Sequence, residues 1–505
     1  MTEPTGPDTA LLTTPSLAPV GPLVLLESEP GAPHTRAVRA AWERYGFRVE
    51  AAHDLTPAQL PDVYCVVAVG NEALGGRAGV PLRRGQVARV LTAMARRGRG
   101  RAVLVTDGGP QVHDDAGAEA AAGRAADHAW WQHLAKRCTA RGVPVNTVRV
   151  GYAPFLGHRL SPGAEAELLR HLVTRRALQP EELAAALRLL ASRSLGNLAG
   201  ETLPLDGGLD AAVVPMPSAR AAHPDPAPAE PGPGPDPFRL DGRTVLVTGA
   251  SGGIGASVAR ECAARGAGVV LAARRRPELE KLAAELREAG GRCWVLPVDL
   301  AEPAHAAGLV SEAWERTGGV DALAYAAGAV AFDGAGDNTS GRARLLALNT
   351  LSYASVCEAL LTRWSATGRE GAVAVVSSLA AVSAPVANLA SYGVSKAGAT
   401  LFTQHLATTA ARHGVRANSV LPGFVRTPMT DVTNPQFLAA TNQLVPTGRM
   451  SEPDEVAALV CYLISPAAAG LTGAALRIDG GGHCLAGLPP LTRPVSPRTP
   501  PGSPK

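Results

Sequence analysis

Aromatic residues make up only 4% of the 505 residues, cysteines are scattered, neither sign of charge dominates, and no long apolar run occurs. Each shortage removes a class of protein. The seven cysteines, at 65, 138, 262, 293, 357, 461 and 484, form no CxxC pair and join no histidine cluster. That excludes a zinc-type metal site and a disulfide framework, and it fits a reduced, cytoplasmic compartment. A net charge of +4 on this length gives no basic footprint for nucleic acid. No stretch of about 18 uninterrupted apolar residues is present, so no membrane span is expected. The opening "MTEPTGPDTALLTTPSLAPV" lacks the basic start and apolar core of a secretory signal.

What is present fits two packed cores. An apolar fraction of 46% is ample, and the length exceeds what one core usually serves. Composition breaks at "AVVPMPSARAAHPDPAPAEPGPGPDP", where proline alternates with small or acidic residues and favours an extended spacer. A similar tail, "GLPPLTRPVSPRTPPGSPK", closes the chain. The expected organisation is a tail at 1–20, a first domain at 21–212, a linker at 213–237, a second domain at 238–485 and a tail at 486–505.

The second domain opens with "GRTVLVTGASGGIGASVARECAARGAGVVLAARRR". Thr244–Val247 reads as a buried parallel strand and Ser257–Arg265 has helical spacing, so Gly249, Gly253 and Gly255 lie at a strand-to-helix turn. Missing side chains there let a pyrophosphate approach the backbone, where the N–H groups of the following helix attract an anion. A glycine triplet alone marks only a tight turn; this context points to a nucleotide. The next strand, Gly268–Ala273, ends in Arg274 and Arg275, where an acid would favour NAD. An arginine favours the 2′-phosphate of NADP(H). In "VLPVDL", Asp299 stands at a strand end where adenine can be met.

The chemistry is concentrated in "VVSSLAAVSAPVANLASYGVSKAGATLF". Tyr392 and Lys396 are four apart and share one helix face, so the ammonium is expected to lower the phenol from its ordinary value near 10. Ser378, ending the strand "GAVAVVSS", can hold a substrate oxygen beside the phenol.

With these residues in this order, 238–485 resembles the short-chain dehydrogenase/reductase family. The resemblance rests on Thr248-Gly249-xxx-Gly253-x-Gly255, Asn349 in "LALNTLSY", Ser378, Tyr392-xxx-Lys396, "NSVLPGFVRTPMT" and "LTGAALRIDGG". It implies an α/β fold with a Rossmann-type doubly wound parallel sheet, and hydride transfer between a nicotinamide and a carbonyl or alcohol. Tyr392 would donate the proton, Ser378 orient the oxygen, Lys396 hold the ribose, and Asn349 steady a water relay. Cofactor contacts would come from Gly249, Ser251, Gly253, Ile254, Gly255, Arg274, Asp299, Leu300, Gly328, Tyr392, Lys396, Pro422, Gly423, Val425 and Thr427.

Two departures stand out. The family's NNAG is here Tyr325-Ala326-Ala327-Gly328, which predicts a looser corner. Ser378 lies fourteen positions before Tyr392 (392 − 378 = 14), one more than the family pattern, so Ser377 and Ser383 stay open as alternatives. "PGFVRTPMT" and the ending "GRMSEPDEVAALVCYLISPAAAGLTGAALRIDGG" resemble the 3-oxoacyl-(acyl carrier protein) reductases. That implies a β-keto thioester, or a polyketide-type ketone, as substrate. Arg363, Arg369, Arg412 and His413 would then be a docking rim for an acidic acyl carrier protein.

The first domain repeats part of the second. "QHLAKRCTARGVPVN" at 132–146 answers "QHLATTAARHGVRAN" at 404–418 (404 − 132 = 272), and "LAGETLPLDGG" at 198–208 answers "LTGAALRIDGG" at 471–481 (471 − 198 = 273). "QPEELAAALRLLAS" at 179–192 likewise answers "EPDEVAALVCYLIS" at 452–465. The chemistry is not repeated. Tyr392, Lys396 and Ser378 fall on Ala120, Arg124 and Gly108, and the three glycines fall on Ser28, Ala32 and His34, with Glu27 and Glu29 to repel a pyrophosphate. About fifty residues are missing between the first and fourth strands (272 − 221 = 51), roughly one βα unit. The first domain is therefore expected to be a shortened, degenerate Rossmann or flavodoxin-like copy that binds no dinucleotide. One expectation is that it stands in for a neighbouring subunit, so that a homodimer imitates the family's tetramer. Others are that it recruits a carrier or a membrane-associated synthase, or has a small-molecule site of its own. The overall expectation is an NADPH-dependent reductase of 3-oxoacyl thioesters or related ketones. The alternatives are an alcohol dehydrogenase of a secondary-metabolite pathway and a non-catalytic scaffold.

Overall fold

The computed structural model describes residues 23–26, 39–40, 43, 49–51, 65–69, 84–107, 128–208 without 157 and 159, and 238–485 without 334–338, 384–387, 432–441 and 443–444. The proposed linker and tails, and positions 27–34, 108, 120 and 124, lie outside these.

Strands β7 (Thr244–Thr248), β8 (Gly268–Ala273) and β11 (Gly371–Val376) are apolar runs buried at every position, as strands covered on both faces require. With β9 (Arg292–Pro297), β10 (Ala322–Tyr325), β12 (Val415–Pro422) and β13 (Ala475–Ile478) they make one parallel sheet in the order β13-β12-β11-β10-β7-β8-β9. The chain starts in the middle, winds outward through β8 and β9, then returns to β10 and winds the other way. The switch point between β7 and β10 is where such sheets bind ligands.

The first half has its own parallel sheet of β1 (Leu23–Leu26), β2 (Val49–Ala51), β3 (Cys65–Val69), β4 (Arg101–Asp107), β5 (Val145–Val150) and β6 (Thr202–Leu205), ordered β2-β1-β3-β4-β5-β6. This is the second half's order without the outer strand corresponding to β9. The sequence deficit of about one βα unit falls at that edge.

Helices α1 (Pro180–Ala191, first half) and α2 (Pro453–Ile464, second half) hold the two sheets together. Each begins with proline in the first turn and a capping box, Gln179 with Glu182 and Glu452 with Glu455. Each is buried nearly all round, which places it inside the molecule rather than on its surface. Helix α1 packs against the short turn Pro466–Ala468 of the second half, and α2 against Arg193–Leu195 of the first. One continuous apolar core therefore spans both halves.

The repeated "QHLA" helix behaves differently. Residues 128–139 are helical, and Trp131, Leu134, Ala135 and Cys138 are buried in a core that belongs to the first half alone. Its apolar face is thus used locally, whereas the repeated Asp-Gly-Gly segments lie between the halves. One helical stretch, Gly341–Thr367, is long and apolar enough by composition to cross a membrane. As folded, its Tyr353, Val356, Cys357, Leu360 and Trp364 are buried in the second half's core. Cys262 and Cys461 bring their sulfurs to 3.4 Å inside the core.

Candidate functional site

The glycine turn follows β7, and helix α3 (Gly253–Ala264) starts within it. Gly249 has φ +70°, and a Cβ there would sit 2.7 Å from the carbonyl oxygen of Ala326. A Cβ on Gly255 would stand 2.2 Å from Gly249 O, so the turn closes only without side chains. Gly253 (φ +52°) faces Thr427, with 3.4 Å from its would-be Cβ to Thr427 Cγ2. The loop after β12 therefore meets the glycine turn, and two segments that the sequence separates by over 170 positions share one cleft (427 − 253 = 174). Ile254 packs on the core between them.

Arg275 rather than Arg274 reaches this turn. Its Nη2 donates to Ser251 O at 3.0 Å and to Ser251 Oγ at 3.3 Å, while Nη1 donates to Glu278 at 2.7 Å. Arg274 is exposed. A guanidinium laid on Ser251 beside the turn suits a phosphate on the adenosine ribose. The sequence showed both arginines; only the strand's exit direction tells them apart.

Asp299 Oδ1 accepts from Ala301 N at 2.9 Å, shaping the turn after β9, and the buried Leu300 is tied through its carbonyl to Ser352 Oγ. Gly423 N donates to Ile478 O at 3.1 Å, and a Cβ on Gly423 would meet Asp479 Cβ at 2.8 Å, which explains glycine after Pro422. Val425 bridges to Ser451, and Thr430 Oγ1 donates to Val425 O at 2.6 Å, fixing the loop that carries Thr427.

Tyr392 and Lys396 lie one turn apart on helix α4 (Ala390–Ala410). The side chain of Ser378, the residue after β11 and Ser377, stands near enough to the Tyr392 hydroxyl to act on its proton affinity. Ser378 Oγ also accepts from Ala380 N at 3.1 Å, capping a short 3₁₀ turn. The other serines have different work: Ser377 Oγ donates to Lys396 O at 3.0 Å, and Ser383 Oγ to Leu379 O at 2.9 Å. Ser378 is therefore the serine the structure sets against the phenol.

Lys396 Nζ donates to Val376 O at 2.9 Å and lies 5.9 Å from the Tyr392 ring centre. Burial pulls its pKa down to about 8. Burial also raises the Tyr392 phenol above its ordinary value, against a lowering by the Ser378 side chain. The sequence expectation that the lysine acidifies the phenol is thus reversed in this state, because the ammonium points to a carbonyl and desolvation dominates. A protonated phenol is the form that donates.

Asn349 sits in a π-helical turn, Ala347–Leu351, a local widening frequent at functional sites. Its Oδ1 accepts from Ala329 N at 3.0 Å, and its Nδ2 donates to Ala329 O at 3.0 Å and to Ser395 Oγ at 2.9 Å. A Cβ on Gly328 would stand 3.1 Å from Lys396 Nζ and 3.2 Å from Asn349 Oδ1, so glycine leaves a cradle between them. The corner predicted to be loose is tied another way. Tyr325 OH donates to Leu348 O at 2.9 Å, its ring packs 5.0 Å from Tyr353, and Ala327 N donates to Thr248 Oγ1 at 3.2 Å. Tyr325 is a positioning residue that the missing asparagine pattern concealed. The glycine cradles, Arg275 with Ser251, and the Lys396–Gly328–Asn349 group fit a nicotinamide dinucleotide.

The basic rim lies at the opposite strand ends from this site. Arg363 and Arg369 precede β11, and Arg412 and His413 precede β12, whereas Ser378 and Pro422 lie at the strands' far ends. A six-residue strand separates the two by about 20 Å. Arg369 is moreover paired with Asp321 at 2.8 Å and laid over Trp314, and Arg363 binds Ser311.

A family model described as enoyl-(acyl carrier protein) reductase matches residues 249–483. Oxidoreductase UcpA of Escherichia coli K12 is 33% identical over 252 residues, covering 48% of this chain and 95% of that protein. The 3-oxoacyl-[acyl-carrier-protein] reductase FabG of Vibrio cholerae is 33% identical over 252 residues, 49% of this chain and 99% of its own length. L-rhamnose 1-dehydrogenase (NAD(P)(+)) of Azotobacter vinelandii is 36% identical over 251 residues, 47% and 96% respectively. Each spans about half of the present chain.

Proposed function

The chain belongs to the short-chain dehydrogenase/reductase family and is an NAD(P)-dependent oxidoreductase acting on CH–OH groups, and from that premise we propose an NADPH-dependent reductase of 3-oxoacyl thioesters or related polyketide-type ketones. Bound NADPH would supply the hydride. The chain's residues do the rest: Tyr392 gives its proton to the substrate oxygen, Ser378 shares that oxygen, and Lys396 and Asn349 hold the ribose side and the path by which the proton is replaced.

The observation that carries the substrate class is the apolar character of the segments that follow the site-bearing strands. Phe332 (57% exposed), Val382 (57%) and Met429 (49%, on the short helix Pro428–Asp431) follow β10, β11 and β12 respectively. Large exposed apolar side chains favour an acyl chain over a polyhydroxylated sugar. A thioester on coenzyme A or on an acyl carrier protein would approach this strand-end face. NADPH oxidation with acetoacetyl thioester tests the reading, with L-rhamnose and NADP as the comparison; turnover of the sugar alone overturns it.

Arg275→Ala is expected to weaken NADPH binding about 10- to 100-fold, the loss of a charge-assisted contact, while NADH changes less than about twofold. Fluorescence titration with both cofactors checks this. Equal losses for the two would remove Arg275 from the 2′-phosphate.

We further read the first half as non-catalytic and the protein as a homodimer imitating a tetramer. Leu351 (54% exposed), Val394 (62%) and Leu401 (68%) form an apolar face on the helices bearing Asn349 and Tyr392, suited to a second chain. Light scattering is expected to give twice the chain mass; a monomer refutes this reading.

A further inference from the structure

The contacts between the halves come in pairs related by one shift. Gly480 N donates to Asn197 O at 2.8 Å, and Gly207 N donates to Gly470 O at 3.2 Å. Since 480 − 207 = 273 and 470 − 197 = 273, each bond is the image of the other with the halves exchanged. The packings of α1 on Pro466–Ala468 and α2 on Arg193–Leu195 are images by the same shift, and so, within each half, are the ion pairs Arg176–Glu182 and Arg449–Glu455 that border them. A pseudo-twofold axis runs between the halves. A surface related to its partner in this way is self-complementary in outline. The second half's face has the shape to take either the first half or another copy of itself, and something must decide.

One buried contact breaks the symmetry. The Glu201 carboxylate accepts from Arg477 N at 2.7 Å, Nε at 2.9 Å and Nη2 at 3.1 Å. Its side chain is 2% exposed. The image of this pair would need a carboxylate at 474 and a cation at 204; the chain has Ala474 and Pro204. We propose that Glu201 with Arg477 selects the partner of this face, admitting the chain's own first half and rejecting a second copy of the second half. In a pair of second halves, Arg477 would face Ala474 twice. In a pair of first halves, Glu201 would be buried against Pro204 twice. Asn197 adds to the choice: its Nδ2 donates to Ser451 Oγ at 2.9 Å, and its image position is Gly470, which has no side chain. Discrimination thus comes from what the wrong pairing leaves unmatched as much as from what the right one gains.

This deepens the subunit-like reading of the first half, and its test is separate from the mass measurement. Glu201 and Ala474 occupy the same backbone setting, since Glu201 N donates to Asn146 Oδ1 and Ala474 N to Asn418 Oδ1, each at 3.0 Å. Ala474→Glu therefore offers the second half a reciprocal pair with a copy of itself. The experiment inserts a protease site between residues 213 and 237 of the full chain, cuts it, and follows the halves by size-exclusion chromatography with light scattering. The parent halves are expected to stay together. Glu201→Lys and Arg477→Glu are each expected to release the first half, and the combined reversal to restore pairing. Ala474→Glu is expected to give self-paired second halves with the first half displaced. NADPH binding within twofold of the parent certifies the second half's fold in each variant. Parent halves that separate, a Glu201→Lys protein that stays together, a combined reversal that does not rescue, or Ala474→Glu halves that remain paired as in the parent would overturn the proposal.

Discussion

Replacing Tyr392 by Phe is expected to lower kcat about 1,000-fold with NADPH affinity unchanged within twofold. General acid groups contribute roughly 10²–10⁴ to rate, and the phenol is the acid the site offers to a carbonyl oxygen. It stands beside Ser378, and burial raises its pKa above the ordinary value near 10, which keeps it protonated through the neutral range. The ring remains in Phe, so packing and cofactor binding survive; only the proton is lost. Steady-state kinetics with acetoacetyl thioester, with a separate NADPH titration, reads both quantities. A tenfold or smaller change in kcat would take the proton away from Tyr392.

Lys396→Met is expected to abolish measurable turnover and yet stabilise the cofactor-free protein by roughly 2 kcal/mol at pH 7. A pKa pulled to about 8 means that folding disfavours the ammonium, at about 1.4 kcal/mol per tenfold shift in proton affinity. The variant loses the bond to Val376 O, which offsets about 1 kcal/mol of that gain. The folded-state pKa lies below the unfolded one. The lysine's penalty is therefore full below pH 8, where both states hold the proton, and vanishes as pH rises toward 10.5, where neither does. The stability gap between variant and parent should narrow across that window in denaturant melts. A variant less stable than the parent at pH 7 would mean that the ammonium is not under strain.

Much of this could be read from residue order. Buried apolar runs separated by helical spacing gave the parallel sheet, and the sheet's winding places the glycine turn, Ser378 and Pro422 at neighbouring strand ends. The spacing of Tyr392 and Lys396 placed them on one face. Direction was harder to see. Whether Arg274 or Arg275 lies against Ser251, which of two adjacent serines faces the phenol, and where the lysine donates all depend on strand exits and burial that spacing does not encode. Tyr325 stood in the sequence as a departure and proved to be a brace, because its phenol reaches from the end of β10 to Leu348 O in the π-helical turn that carries Asn349. The arginines of the basic rim precede β11 and β12 and so sit at the strand ends away from Ser378 and Pro422. The internal repeat carried the most distant information, since a single shift relates contacts on opposite sides of the interface between the halves.

The central claim is that only the second half binds nucleotide and performs the chemistry. Calorimetric titration of the full chain with NADPH tests it most directly, beside a Gly255→Arg variant whose side chain would fill the turn against Gly249 O. The account predicts one site per chain in the parent and none in the variant. Two sites per chain, or binding that survives in the variant, would contradict it.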